Sequence, residues 1–133
     1  MCAVEVIKVG LVEDTPEYRN ALRAFIDREE GLQVVFNTGD PTAAASLVDQ
    51  HRPQVLILDY SMPQMTGLEV MHEVRGVVDA MSTKIIMLTV QDDVGILQSA
   101  LEGRVNGFLT KGQPPKKIIE SIREVMQSSP DHP

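Results

Sequence analysis

At 133 residues, 43% hydrophobic and 23% charged, the chain has the size and composition of one globular domain with its own core. Its net charge of −7 argues against nucleic-acid binding by this segment, because phosphate contacts need clustered Lys and Arg. No stretch approaches the roughly 20 apolar residues of a membrane span, so no membrane partner is expected.

With no Trp, two Tyr and three Phe, the core must be aliphatic. Cys2 is the only cysteine, which excludes an internal disulfide and suits a reducing, cytoplasmic setting. Met1-Cys2 precedes a short strand-like run rather than a basic and then apolar leader, so no secretory signal is expected.

Apolar strand patterns alternate with helical ones, which predicts a parallel sheet flanked by helices. Val6 to Val12 predicts the first strand, ending at Glu13-Asp14. Thr15-Pro16 supplies a helix start, followed by Tyr18, Ala21, Leu22, Phe25 and Ile26 at helical spacing, and Gly31 ends that helix. Leu32 to Phe36 predicts a short second strand. Asp40-Pro41 reads as the cap and first turn of a second helix buried through Ala44, Leu47 and Val48, which stops near His51-Arg52-Pro53.

Val55-Leu56-Ile57-Leu58-Asp59 follows. A continuous run of branched apolar residues reads as a strand buried on both faces, here ending abruptly in a carboxylate. Met62-Pro63 shapes a turn, and Thr66-Gly67-Leu68-Glu69 has capping-box spacing for a third helix buried through Leu68, Met71 and Val74. Lys84 to Thr89 predicts the fourth strand, and Asp92 can cap a fourth helix carrying Ile96, Leu97, Ala100 and Leu101. Asn106 to Thr110 predicts the fifth strand, followed at once by Lys111-Gly112. Pro114-Pro115 opens a last helix with Ile118, Ile119, Ile122, Val125 and Met126 on one stripe. Residues 1–127 are thus expected to form one domain of five strand–helix units, with 128–133 a tail or the start of a linker.

Four of these strands end at polar residues: Glu13-Asp14, Asp59, Thr89 and Lys111. In a parallel sheet such ends share one edge, where open α/β folds bind ligands. Singly, each has a plainer role: acids favoured at a helix N-terminus, a turn starter, a strand-end hydroxyl, a solvated lysine. Jointly they bring three carboxylates, a hydroxyl and an ammonium to one place. Crowded carboxylates repel, so raised acid pKa values are expected there. A divalent cation would relieve that strain, and hard oxygen ligands favour Mg²⁺. The same parts suit phosphoryl transfer, with Asp59 attacking phosphorus, Lys111 adding a point charge and Thr89 hydrogen-bonding one oxygen. The product would be an acyl phosphate on Asp59. The seven Met residues read as aliphatic filler, His51, His72 and His132 as surface residues without metal-ligand spacing, and Lys116-Lys117 as a solvated helix face.

Glu13-Asp14, Leu58-Asp59, Met62-Pro63 with Gly67, Thr89, and Phe108 three residues before Lys111 together resemble the receiver domain of bacterial two-component response regulators. The likeness spans roughly residues 5 to 127, and Asn106 to Gly112 is most similar to the LuxR/NarL-type branch. The resemblance implies a flavodoxin-like, doubly wound five-stranded sheet in the order 2-1-3-4-5, flanked by five helices. It implies Asp59 as the phosphoacceptor, and Glu13, Asp14, Asp59 and the backbone carbonyl of Ser61 around Mg²⁺, with Glu13 acting partly through water. Thr89 and Lys111 would bind the phosphoryl group, and Thr89 with Phe108 would form the switch pair. Their movement would remodel the face made by the fourth helix, fifth strand and fifth helix. The implied partner is a sensor histidine kinase, with a homodimer through that face or through the first and fifth helices. The implied output is control of transcription through a DNA-binding domain that this sequence does not contain, the Ser-Pro tail fitting a receiver cut at its linker. No enzymatic activity is expected beyond phosphorylation and dephosphorylation of the chain itself.

Two residues depart from the family pattern. Val90 follows Thr89 where Ala or Gly is common, and Gly112 follows Lys111 where a Pro, often cis, is common. Ser61, Val90 and Gln91 stand where receivers tune phosphoryl lifetime. Other readings stay open. One is a stand-alone or degenerate receiver acting by protein–protein contact. Another is a haloacid-dehalogenase-like phosphatase, whose usual second Asp two residues on is here Ser61. A flavodoxin-like flavin module would need a Ser/Thr/Gly-rich loop after the first strand, where this chain has Glu13-Asp14-Thr15-Pro16-Glu17.

Overall fold

The computed structural model describes residues 6–79, 81–90, 94–102 and 105–127. Five strands, β1 (Ile7–Val12), β2 (Leu32–Thr38), β3 (Val55–Asp59), β4 (Lys84–Thr89) and β5 (Gly107–Thr110), alternate with five helices. These are α1 (Pro16–Arg28), α2 (Ala44–His51), α3 (Gly67–Arg75), α4 (Val94–Glu102) and α5 (Pro115–Gln127). The strands form one parallel sheet in the order β2-β1-β3-β4-β5, the doubly wound topology expected. No helix among the described residues is long and apolar enough to cross a membrane.

The period of two along each strand splits the core between the faces of the sheet. Val9, Leu11, Ile57, Ile86 and Leu88 pack with Leu22 and Ile26 of α1 and Ile118 and Ile122 of α5. Val12, Leu56, Leu58, Ile85 and Met87 pack with Val48 of α2 and Val70, Met71 and Val74 of α3. Every residue of β3 is buried, as its unbroken apolar run predicts.

Several local expectations shift. α1 ends at Arg28, and Gly31, with φ 85°, makes the turn into β2 instead of capping the helix. β2 runs on to Thr38, because Asn37 and Thr38 pair with Leu11 and Val12 despite their polarity. Asp40 accepts from the Thr42 amide at 3.0 Å, but Pro41–Ala43 is a 3-10 turn that leads into α2. In α3 the capping box of Thr66 and Glu69 is formed. Its buried line includes Val70, with Leu68 at the half-buried rim. Ala21 and Leu101 are exposed, because each lies beside the buried line of its helix. His51 is half-buried, its ring centroid 5.7 Å from that of Phe36, because the end of α2 lies over β2. His72 is exposed as expected, while Asp92, His132 and the tail lie outside the described residues.

Candidate functional site

Register brings the strand-end residues together. Val12 pairs with Leu58, so Glu13 and Asp59, each one residue further, are neighbours at the carboxyl edge. Thr89 pairs with Thr110, and the Lys111 amide donates to the Thr89 carbonyl at 2.8 Å. The pleat then sorts the side chains. Asp59 follows Val55 and Ile57, and Lys111 follows Leu109, all of which belong to the layer beneath α1 and α5. Met87 and Phe108 are register partners in the opposite layer, and Thr89 continues the Ile85–Met87 row on that face.

The ammonium of Lys111 is the centre of the cluster. Its Nζ lies 2.7 Å from Glu13 Oε1 and 3.1 Å from Asp59 Oδ1. Both carboxylates are almost inaccessible, at 0% and 1% exposure. Glu13 is held from two sides: its Oε2 accepts from the Thr15 amide at 3.0 Å, and Arg19 donates to its backbone carbonyl at 2.8 Å. The Ser61 amide reaches Asp59 Oδ1 at 3.4 Å, whereas Asp59 Oδ2 is buried without a hydrogen-bond partner. A buried carboxylate oxygen left unpaired is costly.

Burial, and next the nearby charge of Glu13, pushes the Asp59 carboxyl up to about 7, although Lys111 pulls it down. Burial alone would weaken Lys111 as a cation. Its short contact to Glu13 and the attraction of Asp59 outweigh that, so its pKa is raised. The raised acid pKa expected of crowded carboxylates is therefore present at Asp59.

Glu13, Asp14 and Asp59 each offer an oxygen within 4.8 Å of the others. All donors are hard oxygens, and Asp59 Oδ2 is an unpaired acceptor among them, so the set fits a small divalent cation. The loop after β3 is tight. A Cβ on Gly67 would meet the Asp59 carbonyl and Met87 Sδ, each at 2.7 Å, so only glycine lets α3 start against the strand end. Ser61 and Val90 are exposed beside the site, Val90 at 67%. Phe108 is half-buried and packs against the α2–α3 layer. Gln91 lies outside the described residues, and no described peptide bond is cis, including Lys111–Gly112.

One neighbour escapes a reading of the sequence. Tyr18, in the first turn of α1, lies beneath Lys111, with Nζ 4.9 Å from the ring centroid. Its apolar spacing explains it equally well as core. The only signal is its position four residues after Asp14 on a helix that starts at the site.

The family model of the response regulator receiver domain matches residues 9–123. The chain belongs to that family. Among its relatives, the nitrate/nitrite response regulator protein NarP of Escherichia coli is 30% identical over 116 residues, covering 87% of this chain and 53% of NarP. The transcriptional regulatory protein DesR of Bacillus subtilis is 31% identical over 121 residues, covering 91% of this chain and 59% of DesR. A crystal structure of a DNA-binding response regulator of the LuxR family from Staphylococcus aureus superposes with a TM-score of 0.83 at 28% identity. It covers 90% of this chain and 98% of that one. This chain is a receiver domain most like those of NarL- and LuxR-type response regulators, as its residues lead one to expect. The receiver spans about half the length of the curated relatives it matches.

Proposed function

We propose that this receiver is a phosphorylation-driven switch in which Asp59 accepts a phosphoryl group from a sensor histidine kinase. The observation that carries the reading is Asp59 itself: a buried strand-end carboxylate with one oxygen on Lys111 and the other unpaired. In the transfer, an Asp59 oxygen attacks phosphorus and an O–P bond forms. The P–N bond to the kinase imidazole breaks, and that nitrogen keeps the electron pair. Glu13, Asp14, Asp59 and the Ser61 carbonyl would hold Mg²⁺, which when bound neutralises charge on the phosphoryl oxygens.

The chain's own residues do the remainder. The fixed strand end holds Asp59 for in-line attack, and Lys111 releases Oδ1 to bind a phosphoryl oxygen. The Thr89 hydroxyl takes a second oxygen. Loss of phosphate is the reverse exchange with water, which attacks phosphorus and returns inorganic phosphate and the free carboxylate. Ser61, Val90 and Gln91 border that approach and set its rate.

Thr89 and Phe108 report the event, because their strand positions face one side of the sheet and a phosphoryl group draws Thr89 toward Lys111. The affected surface is α4, β5 and α5, the face for a second copy, with α1 and α5 the alternative dimer face. Residues 1–127 are the receiver, and transcription control passes to a DNA-binding domain beyond this chain, as the regulators it resembles suggest. The receiver turns over no substrate but its own phosphoryl group.

A cognate kinase or a small phosphodonor should label the wild type stoichiometrically, with the hydroxylamine sensitivity of an acyl phosphate. Asp59→Ala should take no label. A hydroxylamine-sensitive label that persists in that variant would refute the assignment.

A further inference from the structure

Lys111 carries its charge on a flexible four-carbon stem, yet phosphoryl transfer needs that charge at one point. An ammonium has three N–H donors. Glu13 Oε1 and Asp59 Oδ1 lie 2.7 and 3.1 Å from Nζ as ion-pair partners. The remaining side of Nζ faces the Tyr18 ring at 4.9 Å. Tyr18 is itself fixed: it is half-buried against the layer beneath α1 and α5, in a helix turn closed by the Arg19 amide on the Thr15 carbonyl. Tyr18 and Lys111 also line one cleft of about 260 Å³ with Phe25 and Ile118, so the ring and the lysine meet in its wall.

We infer that Tyr18 is a positioning residue whose ring face holds the Lys111 ammonium over the acid cluster and keeps it there when Asp59 is phosphorylated. This rests on the function proposed above. Once Lys111 lets go of Asp59 Oδ1, the ring restrains it without competing for a hydrogen bond. A carboxylate or carbonyl in that place would hold the ammonium back from the phosphoryl oxygens. The property that matters is the negative face of the ring and not the phenol hydroxyl.

The test uses the full chain with Tyr18→Phe, Tyr18→Leu and a series of increasingly fluorinated phenylalanines at position 18. Fluorination drains the ring face while nearly keeping its shape, so a role in packing alone would leave the series flat. Labelling by acetyl phosphate with Mg²⁺ is timed, and the NMR shift of the Lys111 ε-methylene protons is read on the unphosphorylated chain. Tyr18→Phe should label within about twofold of wild type and keep the upfield ring-current shift. The labelling rate should fall stepwise with fluorine, and by roughly three- to thirtyfold in Tyr18→Leu, the span of a partly desolvated cation–π contact. Tyr18→Leu should also lose the upfield shift.

A flat fluorinated series, or a Tyr18→Phe chain as slow as Tyr18→Leu, overturns the proposal, and the fluorinated series decides even if Tyr18→Leu fails to fold. A wild-type chain that takes no label overturns the phosphoacceptor reading and the catalytic role of Tyr18 with it. In that event an upfield Lys111 shift lost in Tyr18→Leu still establishes the ring contact.

Discussion

The two edges of the sheet bury polar groups in opposite ways. At the amino edge, the Thr83 hydroxyl donates to the Pro53 carbonyl at 2.7 Å, and Arg75 donates to the Thr83 carbonyl at 2.8 Å. There the Asn106 side-chain oxygen accepts from the Ile85 amide at 2.8 Å. These contacts tie the α3–β4 and α4–β5 connections to the strands, and among the described residues only Arg75 Nε is left there without a partner. At the carboxyl edge, two buried carboxylates share one ammonium, Asp59 Oδ2 is unpaired, and Asp59 is pushed up to about 7. One edge is satisfied but for that one nitrogen, and the other leaves a carboxylate oxygen unpaired among crowded acids. Polar burial that is complete holds a fold, and polar burial that is incomplete stores a binding site.

The sharpest way to break that contrast is to remove the ammonium. Lys111→Ala leaves Glu13 and Asp59 buried together without a counter-charge. At pH 8 it should cost about 3 kcal/mol in urea unfolding, because stripping one partner from a buried pair strands the others. The cost should shrink at pH 5, where Asp59 takes a proton and its charge repulsion with Glu13 disappears. A loss below about 0.5 kcal/mol at pH 8, typical of an exposed lysine, would mean that Lys111 does not hold the acids.

A smaller effect of opposite sign should come from Asp59→Asn. The folded pKa lies above the unfolded value of 3.8, so the folded chain binds this proton more tightly. Stability therefore falls as pH rises from about 4 to 7, and the penalty is complete above 7. Asn keeps the shape and removes the charge. It should stabilise the chain by about 1–2 kcal/mol at pH 8, less than the full linkage value, because it also removes the pairing with Lys111. The gain should shrink by well over half at pH 5, because most of the interval between 3.8 and about 7 lies above that pH. Urea titrations at the two pH values check this, and a destabilised variant at pH 8 would overturn the raised pKa of Asp59.

The carboxyl edge is the more legible of the two in the sequence, for a physical reason. Its residues break a pattern: Val55 to Leu58 is apolar until Asp59, and the strand at Val12 gives way to Glu13-Asp14. One charge at the end of a buried strand has a plain structural role, but several at the same sheet edge do not, so together they stand out. Sheet register and pleat are not written so plainly, and they decide that Glu13, Asp59 and Lys111 meet while Thr89 and Phe108 face the other layer. Tyr18 is hidden because an aromatic at helical spacing has a sufficient explanation as core. The amino edge is hidden more deeply. Thr83 and Arg75 act on backbone carbonyls, Asn106 on a backbone amide, and backbone groups leave no mark in the residue pattern. The same holds for β2, where Asn37 and Thr38 are strand residues through pairing with β1 and not through hydrophobicity.

The smallest expected effect tests the satisfied edge by itself. Thr83 is 1% exposed, and its hydroxyl is the donor to Pro53 across the gap between β3 and β4. Thr83→Val keeps the branched shape and removes the donor, leaving the Pro53 carbonyl short of a partner in a dry place. The loss should be about 1 kcal/mol, the worth of one neutral buried hydrogen bond. It should be the same at pH 5 and pH 8, because no ionisable group takes part in that bond. Phosphoryl labelling should keep its wild-type rate, since the residue stands at the edge opposite the acid cluster. A Thr83→Val chain whose stability loss varies with pH, or whose labelling slows, would show that the two edges are coupled through β4 and that their division of labour is incomplete.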